Sequence, residues 1–196
     1  MNSHHENNGR DKLQPCRKYP RAGFMDYNEG DFFVTICTKN KRHYFGYICN
    51  GVMNLSPLGE YLTKNIESTS SHFPDAGILN YVVMPNHVHL IVSIERNDSI
   101  PSQTADNLGR LNQLARISVA TGRDPTLTTH HNSRLAVVIG SMKAAVTRFA
   151  TSNNIEFGWQ SRFHDHRIRG SHDGDNIWNY IDNNVANWSK DCFYQQ

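Results

Sequence analysis

The sequence has few cysteines, and none are paired for a metal knuckle. Cys16, Cys37, Cys49 and Cys192 are scattered over 196 residues without a C-x-x-C. That scatter excludes a disulfide-framed mini-domain and a zinc ribbon, and fits free thiols in a reducing compartment. No run approaches the roughly 18 unbroken apolar residues of a membrane-spanning helix. The polar start, MNSHHENNGRDKLQP, lacks the apolar stretch of a secretory signal. No charge sign dominates either: 20 Lys and Arg face 18 Asp and Glu, a formal net charge of +2. Such a balance permits an anionic partner without demanding one, and the 11 histidines add positive potential as pH falls. No Gly-rich phosphate loop opens any expected helix, which argues against a nucleotide-binding fold. These absences point to a soluble, cytoplasmic protein with no membrane partner.

What is present is enough for one domain with a real core, or for a small domain carrying a long insertion. Residues 1–30 form a polar arm with Arg10, Lys12, Arg17, Lys18 and Arg21. It is either a solvated tail or a segment laid along phosphates. DFFVTICT reads as a strand, Lys39-Asn40-Lys41 as a turn and YFGYIC as a return strand. Asn50-Gly51 is a tight-turn signal. Ser56-Pro57 opens a helix whose Leu58, Tyr61, Leu62 and Ile66 share a face. AGILNYVVMP and NHVHLIVSIE form two strands broken at Pro85, or one long strand kinked there. Residues 96–133 are polar and poor in large apolar groups, an insertion whose expected ordered piece is LGRLNQLARI. From Ser133, Leu135, Val138, Ile139, Met142, Val146 and Phe149 follow a helical rhythm. WQSRFHDHRIRG is expected to be extended, and a last helix to run from about Asp173 through NIWNYIDNNVANW. The order of elements predicts an α+β sandwich, helices packed on an antiparallel sheet, with residues 31–196 as one domain.

In YVVMPNHVHLIVSIE, two histidines interrupt an aliphatic strand. Strand residues i and i+2 share a face, so Val88, Leu90 and Val92 point one way and His87, His89 and Ile91 the other. The histidine Cβ atoms stand about 7 Å apart, two strand rises, which lets both imidazoles converge on one cation. By spacing alone, a metal pair and a pair of half-exposed, satisfied rings are equally open.

MPNHVHLIV also resembles the His-hydrophobic-His signature of the HUH endonucleases. It is most similar to their single-tyrosine transposases, the small insertion-sequence type and its REP-associated relatives. DFFVTICTKNKRHYFGYI, GSMKAAVTRFA, WQSRFHDHRIR and WNYIDNN resemble the family in the same order. The resemblance implies a ferredoxin-like sandwich, a catalytic tyrosine at Tyr180, and a metal held by His87, His89 and Asn184. Many insertion-sequence members carry Gln at that last position. The REP-associated branch has Asn followed by Pro, where this chain has Val185. Helical geometry supports the pair independently. Ile177, Ile181, Val185 and Trp188 form one stripe, with Tyr180 and Asn184 a turn apart along its edge.

The implied chemistry is attack of the tyrosine on single-stranded DNA beside a hairpin. It leaves a 5′-phosphotyrosine that a 3′-hydroxyl can later resolve, aided by Mg²⁺ or Mn²⁺. Lys39, Lys41, Arg42, Lys143, Arg148, Arg162, His164, His166, Arg167 and Arg169 are the candidate DNA contacts. Trp159 and Phe163 either stack bases or pack in the core. His164-Asp165-His166, a second His-x-His with charged surroundings, is expected near DNA rather than on the metal. Insertion-sequence relatives are dimers and REP-associated relatives act as monomers, so the oligomeric state stays open. Such a protein would associate with the nucleoid. Two other classes remain: a catalytically inactive hairpin-DNA-binding protein, and a His-x-His metal oxidoreductase of the β-barrel kind.

Overall fold

A computed structural model describes residues 26–96 and 133–194. Most of the expected N-terminal arm and nearly all of the 96–133 insertion, LGRLNQLARI included, lie outside the described residues. The chain enters with β1 (Gly30–Cys37), a 3-10 turn (Lys39–Lys41), and the ribbon β2 (Gly46–Cys49) and β3 (Val52–Leu55). Helices α1 (Pro57–Glu67) and α2 (Thr69–His72) follow, then strands β4 (Ala76–Met84) and β5 (His87–Ile94). The second described segment holds α3 (Arg134–Ser152), β6 (His164–Arg167), α4 (Gly170–Asp182) and a last 3-10 turn (Trp188–Lys190).

The main sheet has the order β4-β5-β1-β6, with every neighbouring pair antiparallel. The first strand in the chain therefore lies inside, between the third and last sheet strands. That is the split β-α-β arrangement of a ferredoxin-like α+β sandwich, as expected. Alternation along β1 and β5 sends Phe32, Val34, Ile36, Val88, Leu90 and Val92 to one face. There they pack with Leu58, Leu62 and Ile66 of α1 and Leu135, Ile139 and Val146 of α3. Tyr61 and Phe149 stack at 4.1 Å and join the two helices. The opposite face carries Phe33, Thr35, Cys37, His87, His89 and Ile91 under α4 and the C-terminal segment. With both faces covered, the central strands read as nearly continuous apolar runs.

Local signals account for most element ends. Ser56 Oγ accepts from Gly59 N at 3.1 Å and donates to Tyr44 O at 2.7 Å, so one hydroxyl caps α1 and anchors it to the preceding loop. A Cβ at Gly59 would overlap the carbonyl of Phe45, which explains glycine in the first turn. Ser133 caps α3 through Ala136 N, at 3.4 Å. Tyr27, within the expected polar arm, is 6% exposed and stacks on Phe32 at 5.7 Å, so the core begins before β1.

Three local expectations change. YFGYIC does not return to β1; its GYIC pairs with VMNL across the Asn50-Gly51 turn as a separate ribbon. Alternation marks a strand but not its partner, and the nearest tight turn decided the pairing. At Pro85 the first of the two alternatives holds: the chain forms two strands with a Pro85-Asn86 turn, and the irregularity in β4 lies at Leu79, between Ile78 and Asn80. Helix α4 starts at Gly170, not Asp173. Asp173 lies in the first turn and accepts from Arg169 N and His166 Nε2, both at 2.9 Å. The helix ends at Asp182, so Asn184 follows it rather than riding on it.

Candidate metal centre and tyrosine

The β4–β5 turn delivers the histidines. Thr38 donates through both N–H and Oγ1 to Asn86 O at 2.9 Å, which holds the turn against the end of β1. His87 and His89 point away from the aliphatic set, yet they are not turned to solvent: both are 0% exposed. The rings are not half-exposed, because aromatic side chains cover them. Phe193 lies 4.6 Å from the His87 ring, Trp188 6.0 Å from it, and Phe33 stacks on His89 at 5.2 Å.

Their Nε2 atoms are 3.0 Å apart. Thr35 Oγ1 and His89 Nδ1 share a 2.8 Å hydrogen bond. Tyr180, on α4, points its hydroxyl at His89 Nε2 from 3.3 Å. Its helix is seated by Ile177 and Ile181 against Phe33 and Ile91. The structure thus brings His87, His89 and Tyr180 together.

Asn184 is also buried beside the centre, close to Asp191, where its amide works against the burial that raises the Asp191 pKa. Asp191 Oδ2 lies 3.9 Å from His87 Nε2, and Oδ1 accepts from Phe193 N at 2.7 Å. His87, His89 and Asp191 form a group whose ligand atoms all lie within 4.8 Å of one another. Sequence reasoning missed Asp191. It sits past the last helix in an irregular segment, where no periodicity or spacing ties it to a strand. Its acidity among polar neighbours was the only signal.

These residues fit a divalent cation. Two imidazole nitrogens and a carboxylate make a mixed donor set suited to first-row and hard ions. Asn184 Oδ1 is buried with no hydrogen-bond partner among the described residues, an acceptor left over at the edge of the group. Burial lowers the pKa of His89 to about 3 and that of His87 well below its ordinary value, so both rings are neutral donors near pH 7. Burial raises the Asp191 pKa, opposed by its bonds from Phe193 N, Cys192 and Asn184. Without an ion the 3.0 Å approach is a His–His hydrogen bond, and the Thr35 hydroxyl can serve His89 as donor or acceptor in either state.

The candidate DNA contacts divide by position. Lys39, Lys41 and Arg42 occupy the turn at the histidine end of β1, and exposed Arg162 precedes β6 at that end. Lys41 Nζ donates to Cys192 O at 3.1 Å and stands 5.2 Å over the Phe193 ring, while Arg42 pairs with Glu156 at 2.6 Å. His164 aligns with Thr35 and His89 across the sheet, on their face. His166 shares that face but is spent on Asp173. The others are not brought to the centre. Lys143 and Arg148 ride on α3, across the sheet, with Lys143 Nζ donating to Gln160 O at 2.8 Å. Arg167 pairs opposite Phe32 at the far end of β1, and Arg169 opens α4 there. Trp159 and Phe163 pack against the helix-side core, and Trp159 Nε1 donates to Lys143 O.

The fold and this group define an α+β sandwich with a candidate metal centre and a tyrosine hydroxyl at its rim. No family model matches the chain. A protein of Haemophilus influenzae, named only "Uncharacterized protein", is 33% identical over 172 residues, 85% of this chain and 86% of that one. The chain belongs to the same family as that protein. Two solved structures are more distantly similar. A REP-associated tyrosine transposase bound to a REP hairpin has 19% identity and a TM-score of 0.48, over 90% of this chain and 74% of its own. A putative transposase from Deinococcus radiodurans has 12% identity and a TM-score of 0.36, over 84% and 96%. Among the described residues no helix is long and apolar enough to cross a membrane.

Proposed function

We propose that the protein is a metal-dependent tyrosine transposase that cleaves and rejoins single-stranded DNA beside hairpins. The observation that carries this reading is the Tyr180 hydroxyl, 3.3 Å from His89 Nε2, at the rim of the His87–His89–Asp191 group. The resemblance of MPNHVHLIV, WQSRFHDHRIR and WNYIDNN to single-tyrosine transposases supports it independently.

His87, His89 and Asp191 would hold the ion, with the unpartnered Asn184 Oδ1 beside them as a candidate further donor. Bound there, Mg²⁺ or Mn²⁺ would supply Lewis-acid polarisation of a non-bridging phosphate oxygen. Tyr180 forms the new oxygen–phosphorus bond and gives up its phenolic proton. The bond from phosphorus to the 3′ oxygen breaks, and that oxygen gains a proton to become a 3′-hydroxyl. Attack by another 3′-hydroxyl on the 5′-phosphotyrosine reverses the step and joins new strands. Substrate approach is easiest from the β6 side, where Tyr180 and His164 are both partly exposed, because Trp188 and Phe193 close the His87 side. Arg162 and His164 flank that approach, Lys39, Lys41 and Arg42 lie at the same end of β1, and these groups would meet the DNA backbone.

The test is a labelled hairpin with a single-stranded flank, incubated with Mn²⁺ and run on a denaturing gel. The wild-type chain is expected to give a protein–DNA adduct, abolished in Tyr180→Phe and in His87→Ala. Hairpin binding with no adduct in the wild type would replace this reading with that of an inactive, architectural DNA-binding protein.

A further inference from the structure

The Asn86 side chain makes more hydrogen bonds than a turn residue needs. Its Nδ2 donates to Lys41 O at 3.1 Å and to Phe193 O at 2.8 Å, while its Oδ1 faces His87 Nδ1 at 2.8 Å. Carbonyl oxygens only accept, so both amide hydrogens are committed, and the amide has one satisfiable orientation. In that orientation Oδ1 only accepts, and His87 Nδ1 must carry the proton. The Nε2 of His87, which faces His89 and Asp191, is then left with its lone pair.

We propose that Asn86 is a positioning residue that holds His87 in the Nδ1–H tautomer and couples that choice to the seating of the C-terminal segment. The inference rests on the metal-centre reading of His87, His89 and Asp191. A neutral imidazole can carry its proton on either nitrogen, and the wrong choice puts a hydrogen where the ion must bind. Rotating the Asn86 amide would set its oxygen against two carbonyl oxygens and leave His87 Nδ1 facing an NH₂ group. Phe193 O supplies half of what forbids that rotation. The segment that brings Asp191 to the centre therefore also orients the ligand on the opposite side. Asn86 is 0% exposed, so water does not substitute for either partner.

The experiment reads imidazole nitrogen NMR of the ion-free full chain, amide exchange over residues 188–194, and titration with Mn²⁺ alone. In the wild type His87 is expected to be protonated at Nδ1. Asn86→Ala should lose this fixed tautomer and bind Mn²⁺ about 10–100-fold more weakly. Asn86→Asp keeps an acceptor for Nδ1–H but no donor for Phe193 O. It should retain the tautomer while the Phe193 region exchanges faster. Wild-type His87 protonated at Nε2 would overturn the proposal, as would Asn86→Ala with unchanged tautomer and Mn²⁺ affinity. If Asn86→Ala does not fold, Asn86→Asp decides: a lost tautomer, or unchanged exchange near Phe193, overturns it. A wild-type chain that fails to bind Mn²⁺ sinks the metal-centre reading, and the ion-free tautomer still decides the role of Asn86.

Discussion

The two faces of one sheet use the same strands for opposite ends. On the helix side, Phe32, Val34, Ile36, Val88, Leu90 and Val92 meet α1 and α3 in the main apolar core. On the other side the alternate residues of the same strands are Thr35, His87 and His89, just as deeply buried but bonded to one another, to Asn86 and to Tyr180. The first face derives its stability from apolar burial. The second holds polar groups whose burial is tolerable because Thr35, His87 and His89 each find a partner. One strand can therefore be rigid scaffold and functional group together, because its period of two keeps the jobs apart.

That division can be broken from either side. Leu90→Ala, on the helix side, should cost about 2–5 kcal/mol in a urea melt and leave the Tyr180 adduct intact in the folded fraction. Tyr180→Phe should abolish the adduct with little change in the melt. On the site face, Asp191→Asn should weaken Mn²⁺ binding by at least about 10-fold, and Asn184→Ala by less, since the close group is His87, His89 and Asp191. Equal losses in a calorimetric titration would make Asn184 a full ligand.

The buried imidazoles also make the site face acid-sensitive. His89 has its folded pKa lowered to about 3, and that of His87 falls in the same direction, both through burial. Each ring's contribution to stability is fully present above the unfolded value near 6.5. It is lost as pH falls from there towards the folded value, by roughly 1.4 kcal/mol per pH unit per ring. Ion-free wild type should thus lose stability from about pH 6.5 downward, and His89→Gln should flatten that slope in melts at several pH values. The smallest effect concerns charge. Arg162→Ala should lower the salt dependence of hairpin binding by about 0.7 in log–log slope. Arg148→Ala, across the sheet, should leave it unchanged. Equal effects from both would move the DNA path away from the site face.

Much of this division was legible in the sequence, for a physical reason. Alternation in HVHLIV separates the faces without any knowledge of neighbours, and the Ser56-Pro57 and Ser133 caps mark helix starts through local bonds alone. The end of α4 was hidden because Ile177, Ile181, Val185 and Trp188 keep a helical rhythm past Asp182, where the backbone leaves the helix for successive turns. Hydrophobic spacing reports which side is buried, not whether the i to i+4 bonds continue. Asp191 was hidden more deeply, since its role depends on how an irregular segment folds back over β5. The partner of GYIC was likewise decided by turn geometry, which outweighed the attraction of a longer strand.

The bulge at Leu79 has a consequence for how copies of the chain meet. Among the described strands, β4 is an outer one and the longest, which leaves a row of backbone amides and carbonyls open to recruitment by any passing strand. The extra residue interrupts that row midway and turns the 51%-exposed Leu79 outward, while Asn80 is tied to Asp182 of α4 at 2.9 Å. A strand arriving from another molecule would lose register after a few residues. Protection against runaway sheet growth is thus built into the hairpin that carries the histidines.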